Sequence, residues 1–189
     1  MLKPASTYQA ASFPIASYSN EDVTAAWASI QQHFPKPKYA IRAAVFNAGP
    51  VFTAGAPVFK PFLSVTPSDV QETLQTGIAG AFAFSRAAIL AFKGNDLEEE
   101  EPAGKRGTLI FTGATASLRG GPVTSIFSAG KFSLRALSQS LAKEFGKENI
   151  HVAHVSFEFW VVLCVVFWEI WCSDGLICVH WQVVIDGGT

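Results

Sequence analysis

Three short apolar runs set apart by helix-length segments constrain this chain more than any single motif. The first, IRAAVF at Ile41–Phe46, is apolar except for Arg42 and stops at Asn47-Ala48-Gly49, as a buried parallel strand opening into a loop does. The second is Gly107–Phe111 and the third begins at Ile150 and runs to Val155. Before the first run, Asn20 stands as a cap, Glu21 and Asp22 fill a first helical turn, and Val23, Trp27, Ile30 and Phe34 share one face until Pro35 ends the segment. Between the first two runs, Thr66-Pro67-Ser68-Asp69 is a helix start, and the helix should continue to about Phe92. Gly77 and Gly80 weaken that helix by roughly 1 kcal/mol each unless they serve close packing against a neighbouring backbone. Thr124 or Ser125 caps a third helix, which carries Lys131, Leu134, Leu137, Leu141 and Phe145 and stops at Gly146. Strands alternating with helices this long are joined by right-handed crossovers, which predicts an α/β fold with a parallel sheet covered on both faces.

With 189 residues, 49% of them apolar, the chain can bury one sizeable core, so residues 1–189 read as a single domain. Fourteen basic side chains against fifteen acidic ones supply no field for nucleic acid or an anionic membrane, so the expected partner is a small molecule. The N-terminal MLKPASTYQAASFPIAS lacks a basic segment followed by an apolar one, which favours a cytoplasmic location. Cys164, Cys172 and Cys178 are odd in number and lack CxxC spacing, so they read as free thiols. The acidic stretch Asn95–Lys105 reads as a solvated loop, and PVF, repeated at Pro50–Phe52 and Pro57–Phe59, as a short local duplication or simply a Pro/Gly surface loop. His151 and His154 lie on the third strand and read as structural.

Several segments, in order, carry a family resemblance: NAG at Asn47–Gly49, TPSDVQETLQTGIAGAFAFSRAAI, GATASLRG, FSAGK, and GKENIHVAHV leading to a terminal IDGG. Over about Ile15–Val155 and the last few residues the chain resembles the short-chain dehydrogenase/reductase family. The resemblance implies a three-layer Rossmann-like fold, here missing the first strand and glycine-rich turn, because no glycine precedes Gly49. It also implies NAD or NADP as cofactor and a small alcohol or carbonyl as substrate. It assigns cofactor contacts to Asn47, Ala48, Gly49, Lys131, Asp186 and Gly187. In that family a tyrosine four residues before the lysine donates a proton, a serine thirteen before the tyrosine holds the substrate oxygen, and a helix asparagine holds a relay water. Those positions are Phe127, Ala114 and Gly77 here, and the adenine-contacting aspartate aligns with Ser17.

A phenol becomes a useful acid/base near neutrality only beside a cation such as that lysine, and Phe127 has no proton to give. Losing a positioned acid/base forfeits about 10²- to 10⁴-fold in rate. The implied enzyme is therefore impaired or inactive, and the alternative is a non-catalytic remnant acting through its surface. The resemblance places dimer or tetramer contacts on the helices Thr66–Phe92 and Ser125–Phe145. Thr115, Ser117 and Ser125 are nearby hydroxyls whose expected work is loop hydrogen bonding and capping.

From Val155 to Gln182 the composition changes abruptly. That stretch holds all three cysteines and four of five tryptophans, and no lysine or arginine follows Lys147. Removing it joins HVAH to VVIDGG as one family-like strand, so it reads as a foreign insert, and a translated intron fits its length and ends. Two other readings stand beside that one. A membrane segment is disfavoured because Glu158 and Glu169 bracket only about ten apolar residues where roughly 20 are needed to span a bilayer. The other is an extra strand pair turning at Ser173-Asp174-Gly175.

Overall fold

The computed structural model describes residues 11–48, 59–98, 104–157 and 182–187, with side chains described as far as residue 156. The elements run α1 (Asn20–His33), β1 (Tyr39–Phe46), α2 (Pro67–Thr73), α3 (Gly80–Lys93), β2 (Gly107–Ala114), α4 (Ser125–Phe145), β3 (Ile150–Phe157) and β4 (Gln182–Gly187). The strands form one sheet in the order β3-β2-β1-β4. β1, β2 and β3 are mutually parallel, which confirms the α/β class read from the sequence. β4 is antiparallel to β1 at the far edge. Gln182–Gly187 is thus a separate edge strand in this structure.

Helix α1 begins one residue away from the expected cap: Ser19 accepts the Asp22 N–H, and Asn20 is the first helical residue. The start of α2 is as the sequence predicts, with Thr66 and Asp69 exchanging both bonds of a capping box and Pro67 in the first turn. Lys60 and the Thr66 N–H and hydroxyl hold the Asp69 carboxyl down to about 2. Because that pKa is depressed, the contribution of the cap is present above about pH 4 and fades as pH falls toward 2. Amide signals of Val70–Thr73 should therefore broaden or shift before those of α4 on acidification, and simultaneous loss of both sets would contradict this.

A π-helical turn, Leu74–Ala79, joins α2 to α3, so the expected long helix is continuous but widened in its middle. The widened turn carries Gly77, where a Cβ would stand 4.0 Å from the Gly130 Cα on α4, so two backbones do approach as the glycines suggested. Gly80 packs on a side chain instead, with its would-be Cβ 2.9 Å from the Tyr18 ring. The span Pro67–Lys93 is long and apolar enough to cross a membrane, but half of its apolar window is buried in the fold.

The core lies between the sheet and these helices. Phe84 packs on Phe46 and Trp27, Phe46 packs on Phe111, and Phe92 seats against Gly107. The described helices α2–α3 and α4 gather on one face of the sheet. Two successive right-handed crossovers, β1 to β2 and β2 to β3, step in the same direction and so place α2–α3 and α4 on one face. Covering the other face needs a step in the reverse direction, and α1 packs on α3 instead. The loop after α3 is also less solvated than its charge suggested. Asn95 is buried and its Nδ2 donates to the carbonyls of Ile41 (2.7 Å) and Arg106 (2.9 Å), tying β1 to β2, while Glu98 pairs with Arg42. Residues 99–103 and the first PVF fall outside the described residues.

Candidate functional site

At the carboxyl ends of β1 and β2, the helix side of the sheet holds a small cavity of about 10 Å³, room for a single water. It is lined by Ala48, Thr73, Gly77, Phe127, Gly130, Lys131 and Leu134. Four of the residues singled out from the sequence thus converge: Lys131, Phe127, Gly77 and Ala48. Helical spacing puts Phe127 and Lys131 one turn apart on α4, and the close approach at Gly77 and Gly130 carries that turn against the π segment.

Lys131 is 8% exposed, and its Nζ donates to the Thr112 carbonyl at 2.9 Å. The Phe127 ring centroid is 5.9 Å from Nζ, and Phe59 meets Phe127 edge-on at 6.3 Å. No carboxylate among the described residues lies within ion-pair distance of Nζ. Desolvation without a compensating anion pulls the Lys131 amine down to about 8. Ala114 ends β2 and presents only a methyl group to the loop, and Gly77 has no side chain at all, so no described group at these positions can pass a proton. Asn47 follows β1 and is exposed, while Ala48 is buried. Gly49 lies outside the described residues.

Asp186 and Gly187 are not part of this cluster. β4 runs against β1, so Asp186 pairs with Ala40 and Gly187 with Tyr39, at the end of the sheet opposite Ala48. At about 3.3 Å per residue that separation is roughly 25 Å, so the structure does not bring these two residues together with Lys131 and Ala48. Of the neighbouring hydroxyls, Ser117 does the loop hydrogen bonding expected of it. Ser117 is fully buried and its Oγ accepts the Ala114 N–H at 3.1 Å. Thr124, rather than Ser125, organises the helix start, bonding Gly121 and lying 2.9 Å from the Ser128 Oγ.

His151 is on β3, as read, and is exposed. His154 lies closer to the site than the sequence suggested. It is in register with Phe111, its ring stands over Gly113, and its Nε2 is buried with no hydrogen-bond partner among the described residues. Burial, then the charges of Lys131 and Arg135, push its pKa down. Strand parity alone could have found it, because position 154 shares a face with Ile150 and Val152, the face on which α4 packs.

A dinucleotide needs a phosphate cradle at a helix N-terminus and a ribose contact. The described residues supply at most the second. The Lys131 amine is already committed to Thr112, the cavity beside it has the size of a water, and the strand next to β1 delivers its glycine to the far end of the sheet. The described residues by themselves therefore do not assemble a nicotinamide-dinucleotide site.

The ancestry of this arrangement is clear. The family model described as short chain dehydrogenase matches residues 5–159. An L-2,3-butanediol dehydrogenase of Corynebacterium glutamicum is 30% identical over 99 residues, covering 52% of this chain and 35% of the relative. A short-chain dehydrogenase structure from Rhodopseudomonas palustris superposes with a TM-score of 0.59 at 28% identity, covering 83% of this chain and 65% of the other. A gluconate 5-dehydrogenase from Burkholderia cenocepacia, solved with NADP and tartrate, reaches a TM-score of 0.60 at 17% identity and 75% and 48% coverage, a likeness of fold alone. The chain thus spans about a third of the butanediol dehydrogenase and half to two thirds of these solved structures. The parallel β1-β2-β3 core, the crossover helices on it and the lysine buried one turn past an aromatic ring agree with a family match over most of the sequence: the chain belongs to the short chain dehydrogenase family.

Proposed function

We propose that this chain descends from an NAD(P)-dependent oxidoreductase acting on a small alcohol or carbonyl, and that the chain itself is impaired or inactive in that reaction. One observation carries the reading: the phenyl ring of Phe127 lies 5.9 Å from the buried Lys131 amine, where the resemblance places a proton-donating phenol. Hydride transfer to a carbonyl leaves an oxygen that must take up a proton, and Ala114, Phe127 and Gly77 offer none. The expected location is cytoplasmic, and the insert within 155–182 fits a translated intron.

Titration with NADH and NADPH, followed by nicotinamide fluorescence, should show no saturable binding up to millimolar cofactor. Micromolar binding would restore the enzyme reading. The double variant Phe127→Tyr with Ala114→Ser is expected to remain inactive, because the hydroxyls return without a pyrophosphate cradle. Carbonyl reduction by that variant would refute the argument.

A second reading is supported by the outer faces of α3 and α4, which flank a groove of about 260 Å³ lined by Phe82, Ile89, Leu90, Leu137, Leu141 and Phe145 together with Ser85, Arg86, Lys93 and Glu144. Phe82 is 58% exposed and Leu90 55%. On this reading the chain acts, without catalysis, through a helix-mediated surface that forms dimers or tetramers. Sedimentation of the chain beside Phe82→Asp and Leu90→Asp tests it, and identical monomer profiles for all three would exclude it.

A further inference from the structure

We propose that Lys131 is a covalent capture site for a one-carbon aldehyde, held as an imine in the small cavity that this side chain lines.

The surroundings of the amine are apolar. Of the residues that line the cavity with Lys131, Ala48, Gly77, Phe127, Gly130 and Leu134 bring no polar side chain, and Thr73 brings only a hydroxyl. Nζ donates to the Thr112 carbonyl, and no carboxylate among the described residues lies within ion-pair distance of it. The charged groups on the elements packed around it do not alter this. β2 and the π-helical turn contribute none. β3 contributes His154, which meets Lys131 and Arg135 as like charges, and Arg135 stands one turn further along α4. On α2, Asp69 is paired with Lys60 and Glu72 is exposed. Burial in such a place favours the neutral amine, whose pKa falls to about 8, and a neutral amine is a nucleophile where an ammonium is not.

The cavity sets the class of electrophile. Its volume of about 10 Å³ admits a single water, and a one-carbon aldehyde is the smallest carbonyl compound that can take that place. The Nζ lone pair adds to the carbonyl carbon, and an amine proton passes to the oxygen. The carbinolamine then takes one proton from solvent on its hydroxyl and expels water as the nitrogen lone pair closes the C=N bond. The iminium so formed keeps one N–H for the Thr112 carbonyl, and its charge remains near the Phe127 ring, whose centroid is 5.9 Å from Nζ. No oxidant or cofactor enters, so the inference is independent of whether the chain retains oxidoreductase activity.

The native full-length chain at pH 7 would be treated with isotopically labelled formaldehyde and cyanoborohydride, which reduces the imine to a methylamine. Peptide mass spectrometry then reads the label at each lysine. An amine titrating at about 8 is roughly 10% neutral at pH 7, against about 0.03% for a lysine in water, a factor of roughly 300 that restricted access and lower basicity reduce. The expected initial rate at Lys131 is at least tenfold above the rates at the exposed Lys143 and Lys147. With benzaldehyde in place of formaldehyde the order should reverse, and in denaturing urea the preference should vanish. Formaldehyde labelling of native Lys131 at or below the rate of the exposed lysines would overturn the proposal. So would a preference for Lys131 that benzaldehyde shares or that survives in urea, because neither would then come from the folded cavity.

Discussion

Gly107→Ala is expected to lower the unfolding free energy by about 3 kcal/mol, the upper end of what one extra methyl costs in a tight core. A Cβ at this position would lie 2.3 Å from Phe92 Cδ1 and 2.4 Å from Cγ. Phe92 is fully buried at the end of α3 and belongs to the same core as Phe84 and Phe111, so its ring has no free space to enter. The strand cannot yield either, because β2 is bonded to β1 on one side and to β3 on the other. Gly146→Ala is the matching control: a Cβ there meets nothing within 4 Å and the backbone is right-handed helical, so a gain of about 0.5 kcal/mol is expected. Urea midpoints for the two variants should move in opposite directions. Equal midpoints would mean that the α3–β2 contact is looser than the geometry shows.

Lys131→Met is expected to be about 2 kcal/mol more stable than the parent at pH 7 and to lose that advantage by pH 10.5. The folded chain holds the Lys131 amine at about 8 against 10.5 in solution, so the unfolded chain binds its proton more tightly. Folding is therefore penalised fully below about pH 8, and the penalty fades as pH rises from 8 to 10.5. A gap of that size corresponds to roughly 3 kcal/mol, from which the bond to the Thr112 carbonyl, lost in the variant, takes back about 1 kcal/mol. Paired urea titrations at the two pH values read the difference directly. A pH-independent difference would show that the ammonium is solvated, and with it would go the claim that no anion answers this lysine.

What was legible in the sequence follows from local chemistry. The capping box at Thr66 and Asp69, the face of Val23, Trp27, Ile30 and Phe34, and the strand ending at Asn47 are decided within a few residues, and each is present as read. Around the site, the spacing of four between Phe127 and Lys131 already placed ring and amine on one helix face, and the missing hydroxyls at Ala114 and Phe127 are matters of identity alone. The role of Asn95 was hidden because the carbonyls it ties, those of Ile41 and Arg106, meet it only once β1 and β2 are paired. The position of Asp186 and Gly187 was hidden for a related reason: local sequence does not fix a strand's direction, and β4 enters the sheet at the end where β3 leaves it.

By itself, then, the sequence determined the α/β class, the capping box of α2, the family and which residues stand at the family's catalytic positions, since these depend on residue type and on spacings shorter than two helical turns. Only the tertiary structure decided that the described helices gather on one face, that β4 runs backwards, that His154 stands over Gly113, and that Lys131 is buried with no anion beside it among the described residues. Those properties depend on which distant segments become neighbours, and a neighbour's charge, bulk or absence is set by the crossover direction and edge order of the sheet as a whole.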